Sequence, residues 1–273
     1  MNVKYSEKGQ AIPTHVEHIP AEAFAQLEDT EIRWLSGGGA MVNAKGTVIL
    51  IDPLLEGFDM PLTYDPPMTP EEVKKVDGLL VTHIDNDHFS KPTIHDTEKV
   101  TESWHSTQYV AEVMREDGIA GEGHDIGDEF DIKNIRVRVT PAWHNWQNEE
   151  KEWQYREWKR EDSCGFYLTT LDGSIWMPGD SRLLEEQLHF AEPDVILLDF
   201  SDNRWHITFE GAVKLCNAYP NAVLIPIHWG SVDAPDWSPF NGNPEELKKA
   251  IVNPERLMVL VPGEGYRMKK EQN

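Results

Sequence analysis

The segment from Val81 to Ser90 constrains the fold of this chain more than any other, and it reads Val-Thr-His-Ile-Asp-Asn-Asp-His-Phe-Ser. It places four potential metal ligands within six residues: His83, Asp85, Asp87 and His88. Imidazole nitrogens and carboxylate oxygens are the groups that bind Zn²⁺, Mn²⁺ or Fe²⁺ in proteins. Crowding them together is unfavourable unless a cation offsets the carboxylate repulsion and the burial of polar groups. The segment therefore predicts a metal site of the kind found in metallohydrolases.

The composition is compatible with a globular α/β protein. The chain has 273 residues, of which 39% are hydrophobic and ten are tryptophan, enough for a sizeable core. No run approaches the roughly 18 to 20 apolar residues of a membrane span, and the N-terminus lacks the apolar centre of a signal peptide. Cys164 and Cys216 do not make a disulfide framework, so we predict packed, inert thiols and a cytoplasmic location.

The charge of the chain argues against nucleic acid as a partner. The sequence has 25 Lys and Arg against 48 Asp and Glu, a formal net charge of −23. A strongly acidic surface repels phosphate backbones, and the clearest basic segment, Lys151–Arg160, is interleaved with glutamates. We therefore expect a small-molecule substrate. The oligomeric state stays open, a homo-oligomer included.

We predict one domain over residues 1–273, since the sequence has no internal repeat, low-complexity tract or Gly/Ser linker. Residues 1–30 are predicted to be an N-terminal arm, and Gly37–Gly39 a turn or a close backbone approach. The mixture of strand and helix signals is typical of a layered α/β fold. The predicted strands are Glu31–Leu35, Val48–Asp52, Gly78–Thr82, Ile135–Thr140, Phe166–Thr170, Ser174–Met177, Val195–Asp199, Ala222–Ile227 and Arg256–Val261. The predicted helices are Ala21–Leu27, Thr107–Glu116 and Phe209–Ala218, with further helix starts at Thr69 and Asn243.

Three more polar residues, His144, Asp180 and His228, each come shortly after a predicted apolar strand, as the cluster at His83 does. In open sheets, ligands collect beyond the carboxyl ends of the strands, so four loops could converge on one place. Taken alone, His144 or His228 would more often be a structural histidine, but four coincident placements favour a shared site. The histidines without this context are predicted to be surface or packing residues: His15, His18, His95, His105, His124 and His189.

Taken in order, these residues resemble the signature of the metallo-β-lactamase superfamily, H-x-H-x-D-H followed by a His, a bridging Asp and a final His. The strand end Ile49–Pro53 also matches, and Gly179–Ser181 and Pro226–Trp229 look most like the ascorbate-6-phosphate lactonase (UlaG-like) branch. The resemblance runs from about Glu31 to the C-terminus. It implies a four-layer αββα sandwich that binds two divalent metal ions. By the family's pattern one ion would bind His83, Asp85, His144 and Asp180, and the other Asp87, His88, Asp180 and His228.

Asp85 departs from that signature, which has a histidine at the same position. Replacing a neutral imidazole by a carboxylate lowers the charge of the site by one unit, and oxygen donors favour harder ions. We therefore expect Mn²⁺ or Fe²⁺ as serious rivals to Zn²⁺. The bound water should be somewhat less acidic than in an all-histidine site.

The resemblance implies hydrolysis by a metal-bound hydroxide, because a bound ion lowers the pKa of water from 15.7 to about 7. Asp180 would bridge the ions, and Asp87 could help to orient the nucleophile. Asp52 is predicted to hold a ligand histidine by a hydrogen bond, with a strand-end turn as the alternative. His206 precedes a predicted helix, where family members often place a histidine near the substrate. It is a candidate general acid or oxyanion donor, with a structural histidine as the alternative.

Residues 143–161 are rich in aromatic side chains set among charges. They are predicted to form either an amphipathic surface helix or an aromatic lid that excludes water and stacks on a substrate ring. Trp143, Trp146 and Trp229 are the candidate aromatic contacts to substrate. Arg182 could pair with an anionic group of the substrate, a surface ion pair being the alternative.

The favoured function is hydrolysis of a small molecule, a lactone or cyclic ester with or without a phosphate group. A phosphodiesterase is the alternative within the same chemistry. A diiron redox protein would need a flavin domain, for which the chain has neither the length nor a motif. A non-catalytic metal-binding protein is disfavoured by the full set of ligands.

Overall fold

The computed structural model describes residues 2–234 and 239–268. The α-helices are α1 (Lys91–Asp96), α2 (Gln108–Glu116), α3 (Phe209–Ala218) and α4 (Pro244–Ala250). Short 3₁₀ helices lie at Ala21–Phe24, Pro70–Glu72, Glu98–Val100, Trp146–Glu149, Lys151–Trp153, Arg160–Asp162, Glu185–Leu188 and Pro254–Arg256. The strands are β1 (Val3–Tyr5), β2 (Ala11–Pro13), β3 (Glu31–Trp34), β4 (Ala40–Ala44), β5 (Thr47–Ile51), β6 (Gly78–Leu80), β7 (Trp104–Thr107), β8 (Gly121–His124), β9 (Glu129–Ile132), β10 (Ile135–Pro141), β11 (Cys164–Thr170), β12 (Gly173–Met177), β13 (Val195–Leu198), β14 (Val223–Pro226) and β15 (Gly265–Arg267).

Apart from the small β1–β2 pair, the strands form two sheets. One has the order β15-β3-β4-β5-β6-β7-β8 and the other β14-β13-β12-β11-β10-β9. Strands β5 to β8 pair in parallel, as do β12 to β14, whereas the remaining neighbours are antiparallel. Since β10 and β12 both pair antiparallel with β11, they run in the same direction. The carboxyl ends of β10, β12, β13 and β14 therefore share one edge of the second sheet.

Alternation along the strands separates the layers. Ile49 and Ile51 of β5 face the second sheet, whereas Val48 and Leu50 pack with the residues that contact α1 and α2. Strand β13 divides in the same way, because its residues alternate between the core shared by the sheets and the core under α3 and α4. Successive side chains of a strand point to opposite faces, so each sheet is apolar on both sides. The fold is a four-layer αββα sandwich, as predicted.

Most predicted elements are confirmed at nearly the predicted bounds. Helix α3 matches, and α2 begins after Thr107, whose hydroxyl accepts a hydrogen bond from the Val110 amide. Strands β11 and β12 form the predicted hairpin, in which Gly173 has a φ of 143°. The helix expected at Ala21–Leu27 is only a 3₁₀ turn.

The strand predicted at Arg256–Val261 is wrong. The segment begins in a 3₁₀ turn and makes one isolated bridge, between Leu224 and Leu257. Its apolar residues Leu257, Leu260 and Val261 are buried by packing and not in a ladder. The unpredicted strand β15 pairs instead with β3.

Both cysteines are free and buried, Cys164 in the core between the sheets and Cys216 in the core under α3. This burial fits the predicted packed thiols, and it raises the pKa of the Cys216 thiol to about 12. Over residues 2–234 and 239–268, none of the helices has both the length and the apolar character that a bilayer span requires.

Candidate metal centre

The loops that follow β6 and β10 bring the first three predicted ligands together. The Oδ2 atom of Asp85 lies 3.4 Å from His83 Nε2 and 3.1 Å from His144 Nε2. The rings of His83 and His144 have centroids 4.8 Å apart. The three side chains thus present one carboxylate oxygen and two ring nitrogens to a common point.

A second group forms beside the first from the other end of the same loop and from the loop after β14. The Oδ2 atom of Asp87 lies 3.3 Å from His228 Nε2 and 3.7 Å from His88 Nε2. His88 and His228 stack with centroids 5.3 Å apart. These side chains also offer two nitrogens and one carboxylate oxygen within a few ångströms of one another.

Asp180, which follows β12, lies between the two groups. Its Oδ2 atom is 3.1 Å from His88 Nε2 and 3.9 Å from His228 Nε2. Asp180 also clusters with His83, a member of the first group. The structure therefore brings all seven predicted ligands together, with Asp180 in the position of a bridge.

Hydrogen bonds behind the rings decide which nitrogen faces the cluster. His144 Nδ1 lies 3.1 Å from the Trp205 carbonyl oxygen, and His228 Nδ1 lies 3.1 Å from the Pro239 carbonyl oxygen. A carbonyl only accepts, so both Nδ1 atoms carry the proton and donate it. The Nε2 atoms of both rings therefore face the cluster, where a metal ion would accept their lone pairs. This is the arrangement of metal-binding histidines in general.

Asp52 fixes the other two histidines from the end of β5. Its Oδ2 atom lies 2.8 Å from His88 Nδ1 and accepts the Thr82 hydroxyl at 2.6 Å, while Oδ1 accepts the Thr82 amide at 2.7 Å. Because the Thr82 hydroxyl donates to Asp52, its oxygen can accept from His83 Nδ1, 2.9 Å away. Asp52 is fully buried and has a positive φ of 45°, a strained backbone conformation that such a network holds in place.

The cluster passes a test of fit for divalent cations. Three of its buried atoms, His83 Nε2, His88 Nε2 and Asp180 Oδ1, have no hydrogen-bond partner among the described residues. Buried polar atoms are normally satisfied, so an unmatched set of lone pairs at one point indicates a cation. The donor set of imidazole and carboxylate suits Zn²⁺, Mn²⁺ and Fe²⁺ alike.

The electrostatics of the cluster agree with this fit. Burial lowers the pKa of His228, but Asp180, Asp199 and Asp87 outweigh it and raise that pKa to about 9. Burial raises the pKa of Asp180, yet His88, His206 and His228 hold that pKa well below its ordinary value. A buried site that stabilises positive charge so strongly is one in which a divalent cation is favoured.

The glycine-rich turn before β4 makes the close approach expected of it. A Cβ atom on Gly38 would lie 2.4 Å from His88 Cε1 and 3.2 Å from His228 Cδ2. The Gly37 carbonyl oxygen accepts the His228 amide at 2.9 Å. The turn therefore forms one wall of the cluster, and a side chain at position 38 would displace the ligands.

Two side chains from residues 143–161 hold the Asp85 carboxylate, and only one of them is among the residues predicted for the site. Trp146 Nε1 donates to Asp85 Oδ2 at 2.6 Å, and Gln147 Nε2 donates to Oδ1 at 2.7 Å. Gln147 is buried and was not predicted, because a glutamine among charged residues carries no signal of its own. These bonds orient the carboxylate that replaces the family's histidine.

Residues 143–161 do not form the amphipathic helix that was one expectation for them. They contain three separate 3₁₀ turns instead. Arg156 anchors the segment, since its guanidinium lies 3.6 Å from the Tyr109 ring centroid and pairs with Asp162 at 2.8 Å. Trp158 is buried and packs edge-on against Tyr109 at 5.3 Å. The lid remains a prediction, but the segment is tied to α2 at one end and to Asp85 at the other.

His206 lies at the cluster next to Asp180, with Nε2 3.6 Å from Asp180 Oδ2. Its Nδ1 atom lies 2.5 Å from Asp199 Oδ2. Asp199 is buried, and it also approaches His228 Nδ1 at 3.4 Å. Asp199 was not predicted as a site residue, although an aspartate at the carboxyl end of an apolar strand is the same signal that singled out Asp52 and Asp180.

Arg182 lies beside the cluster between two aromatic rings. Its guanidinium carbon is 4.2 Å from the Trp205 ring centroid and 5.0 Å from that of Trp143. The Nε atom is buried without a hydrogen-bond partner, and burial lowers the pKa of the side chain. Within the described residues Arg182 has no acidic partner, so the alternative of a surface ion pair is not observed there.

The predicted substrate contact at Trp229 is corrected by the structure. Trp229 is fully buried in the core between the sheets, where it stacks on Trp34 with centroids 5.5 Å apart. Its indole nitrogen donates to the Pro226 carbonyl oxygen at 3.2 Å. Trp229 therefore stabilises the end of β14 from within the core and is not exposed for contact with a substrate.

Comparison with known proteins places this site in a family. The family model described as "Beta-lactamase superfamily domain" matches residues 47–229, which is more than half of the chain. The chain belongs to this family. A UPF0173 metal-dependent hydrolase of Pyrococcus furiosus is 28% identical over 230 residues, covering 81% of this chain and 92% of the relative.

Solved structures share the fold at lower identity. A metallo hydrolase from Ignicoccus hospitalis superposes with a TM-score of 0.68 at 18% identity, over 89% of this chain and 99% of the other. CmlA, a diiron β-hydroxylase from Streptomyces venezuelae, has a TM-score of 0.69 at 13% identity, over 89% of this chain and 54% of the other. At such identities the likeness establishes the fold.

Proposed function

We propose that this protein is a metal-dependent hydrolase of a small anionic lactone or cyclic ester. The observation that carries the proposal is the convergence of four histidine Nε2 atoms and three aspartates in two adjoining ligand groups, with the histidine Nδ1 atoms hydrogen-bonded behind them. The metal-dependent hydrolase of Pyrococcus furiosus supports the same class of reaction.

Two ions would be held by the two groups of ligands, with Asp180 shared between them. When bound, such ions acidify a coordinated water and polarise the oxygen of the bond under attack. Asp87 lies at the edge of the second group, where its carboxylate can accept a hydrogen bond from the attacking water. The Gly38 turn and the half-buried Trp146 flank the cluster and would limit the access of other water.

His206 would donate a proton to the leaving oxygen. Asp199 accepts the Nδ1 hydrogen and thereby turns Nε2 toward Asp180, at the face of the cluster. A ring held on one side by a carboxylate is a common form of general acid. Opening a lactone produces an alkoxide, and this is the group that needs the proton.

Arg182 supports an anionic substrate. Its guanidinium packs against the rings of Trp143 and Trp205, with no carboxylate among the described residues to neutralise it. Planar guanidinium groups bind carboxylate or phosphate through paired hydrogen bonds. A phosphate or carboxylate on the substrate would fill this place and orient the ester over the cluster.

A hydrolysis panel tests the proposal. Protein loaded separately with Zn²⁺, Mn²⁺ and Fe²⁺ is assayed on lactones with and without a phosphate group, and on bis-p-nitrophenyl phosphate. We expect turnover of anionic lactones that disappears in Asp180→Ala and exceeds turnover of the phosphodiester. Preferred cleavage of the phosphodiester would establish the phosphodiesterase alternative, and activity with Zn²⁺ alone would refute the expectation that Mn²⁺ or Fe²⁺ rivals Zn²⁺.

The remaining alternatives have distinct signatures. A diiron redox protein would show an iron absorption spectrum and would consume oxygen when supplied with electrons. A non-catalytic metal protein would leave every tested turnover unchanged in Asp180→Ala. The cytoplasmic location also remains a prediction, and fractionation of the source cells would test it.

A further inference from the structure

A second group of histidines lies at the far edge of the first sheet, in elements that contribute nothing to the metal centre. A cross-strand row runs from Ile51 through Leu80 to His105 and ends at Glu122 on the edge strand β8. Ile51 and Leu80 belong to the core between the sheets, so the row faces inward. Although the row faces inward, its side chains change from aliphatic ones to His and Glu, which are residue types that bind metal ions. His124, two residues beyond Glu122, points to the same face.

The proton position on His105 is fixed by its neighbour. The Ser103 hydroxyl donates to the Asp77 carbonyl oxygen at 2.9 Å, so its oxygen accepts from His105 Nε2, also 2.9 Å away. His105 is 5% exposed, and burial together with His124 lowers its pKa to about 4. The ring is therefore neutral at neutral pH, and its Nδ1 atom presents a lone pair.

That lone pair meets two further ligand atoms. His105 Nδ1 lies 3.0 Å from His124 Nε2 and 3.8 Å from Glu122 Oε2. Two nitrogens bound to one Zn²⁺ at ~2.0–2.1 Å in tetrahedral geometry lie about 3.4 Å apart, so an opening of a few tenths of an ångström suffices. The Glu122 side chain is 63% exposed, which leaves a path from solvent.

The surroundings hold both rings in place. His105 and His124 stack on Phe130 of β9, with centroid distances of 4.5 and 4.0 Å. Strand β9 belongs to the other sheet, so the three rings close the edge where the two sheets meet. Asp125 and Asp128 add negative charge near His124.

We propose that His105, Glu122 and His124 form a separate site for a Zn²⁺-like transition ion, which clamps the edge strand β8 to β7. Two neutral imidazoles and one carboxylate, with a position left for water, are a known donor set for Zn²⁺. The site shares no residue with the metal centre, and it stands whether or not the proposed hydrolase activity is found.

The test counts Zn²⁺ ions. Wild type, His124→Ala, Glu122→Gln and the control His95→Ala are stripped with a chelator, refilled with Zn²⁺ and analysed by elemental analysis and calorimetric titration. His95 is a matched control because it is an exposed histidine that pairs with Asp117 at the surface, away from both proposed sites. We expect His124→Ala to bind one equivalent fewer than wild type, and His95→Ala to bind the same number as wild type. Zn²⁺ should raise the melting temperature of wild type more than that of His124→Ala.

Glu122→Gln keeps the test decisive if His124→Ala fails to fold, since the Glu122 side chain is exposed. We expect it to bind the same equivalent at least about tenfold more weakly. Equal stoichiometry and affinity in wild type, His124→Ala and Glu122→Gln would overturn the proposal, and the two rings would then share only an N–H···N hydrogen bond. The metal centre is present in every variant, so a failure of the hydrolase proposal leaves these differences unchanged.

Discussion

Replacing Gly38 by alanine should weaken metal binding without unfolding the protein. The new Cβ would lie 2.4 Å from His88 Cε1, where carbon atoms normally stay about 3.5 Å apart or more. The φ of Gly38 is not in the left-handed region, so the backbone accepts alanine and only the space is missing. His88 must therefore retreat by about 1 Å.

The surroundings of His88 leave no space for such a shift of the ring. The ring is fully buried, its centroid lies 4.2 Å from that of His83, and its Nδ1 atom is held 2.8 Å from Asp52. Ligand positions tolerate shifts of only about 0.2 Å. We expect Gly38→Ala to bind metal ~10–100-fold more weakly, and a centre displaced by 1 Å to lose about 100-fold in activity.

The assay is metal content after dialysis, with calorimetric titration for affinity and circular dichroism to confirm folding. Gly211→Ala is the control, since Gly211 lies in α3 and a Cβ there would meet neighbours at 3.2 Å or more. It should keep the metal content of wild type. If Gly38→Ala bound metal as tightly as wild type, the tight packing of the turn against His88 would not position the ligand, and the reasoning would fail.

Three further predictions concern other parts of the molecule. Asp52→Asn should weaken metal binding by about 10–100-fold, measured by titration, because asparagine in the same place no longer supplies a carboxylate to His88. Arg182→Gln should raise KM for phosphorylated or carboxylated lactones and leave KM for neutral lactones near wild type; equal changes for both would assign Arg182 a structural role. In the presence of chelator, the unfolding free energy of wild type should fall by up to ~3 kcal/mol between pH 6.5 and 4. In this range His105 of the unfolded chain binds a proton, whereas the buried His105 of the folded protein stays neutral. Denaturant titrations of wild type and His105→Asn at both pH values measure this loss, and an equal slope in the two proteins would contradict it.

Much of the metal centre could be predicted from sequence because its residues follow strands. Three ligand positions, His144, Asp180 and His228, come two to three residues after the ends of β10, β12 and β14, and those strands are apolar enough to recognise. Parallel strands then carry their loops to the same edge, so the order along the chain already implies proximity. Asp199 obeys the same rule and could have been found by it.

Other features depend on contacts that no local pattern encodes. Strand β4 follows directly on the glycine-rich turn and is buried throughout, so it lacks the alternation that marks a half-exposed strand. The contact of Gln147 with Asp85 joins residues 62 positions apart in sequence. His105 and His124 looked like packing residues because a histidine at an inward position acquires meaning only from its neighbour on the next strand.

The hydrogen bonds behind the ligand rings bear on which element the protein uses. Since Asp52, Trp205 and Pro239 form hydrogen bonds to three of the ligand imidazoles from outside the cluster, we expect the ligand positions to depend little on which ion is bound. Such a site would exchange one transition element for another without refolding. The supply inside the living cell would then select the occupant as much as the protein does.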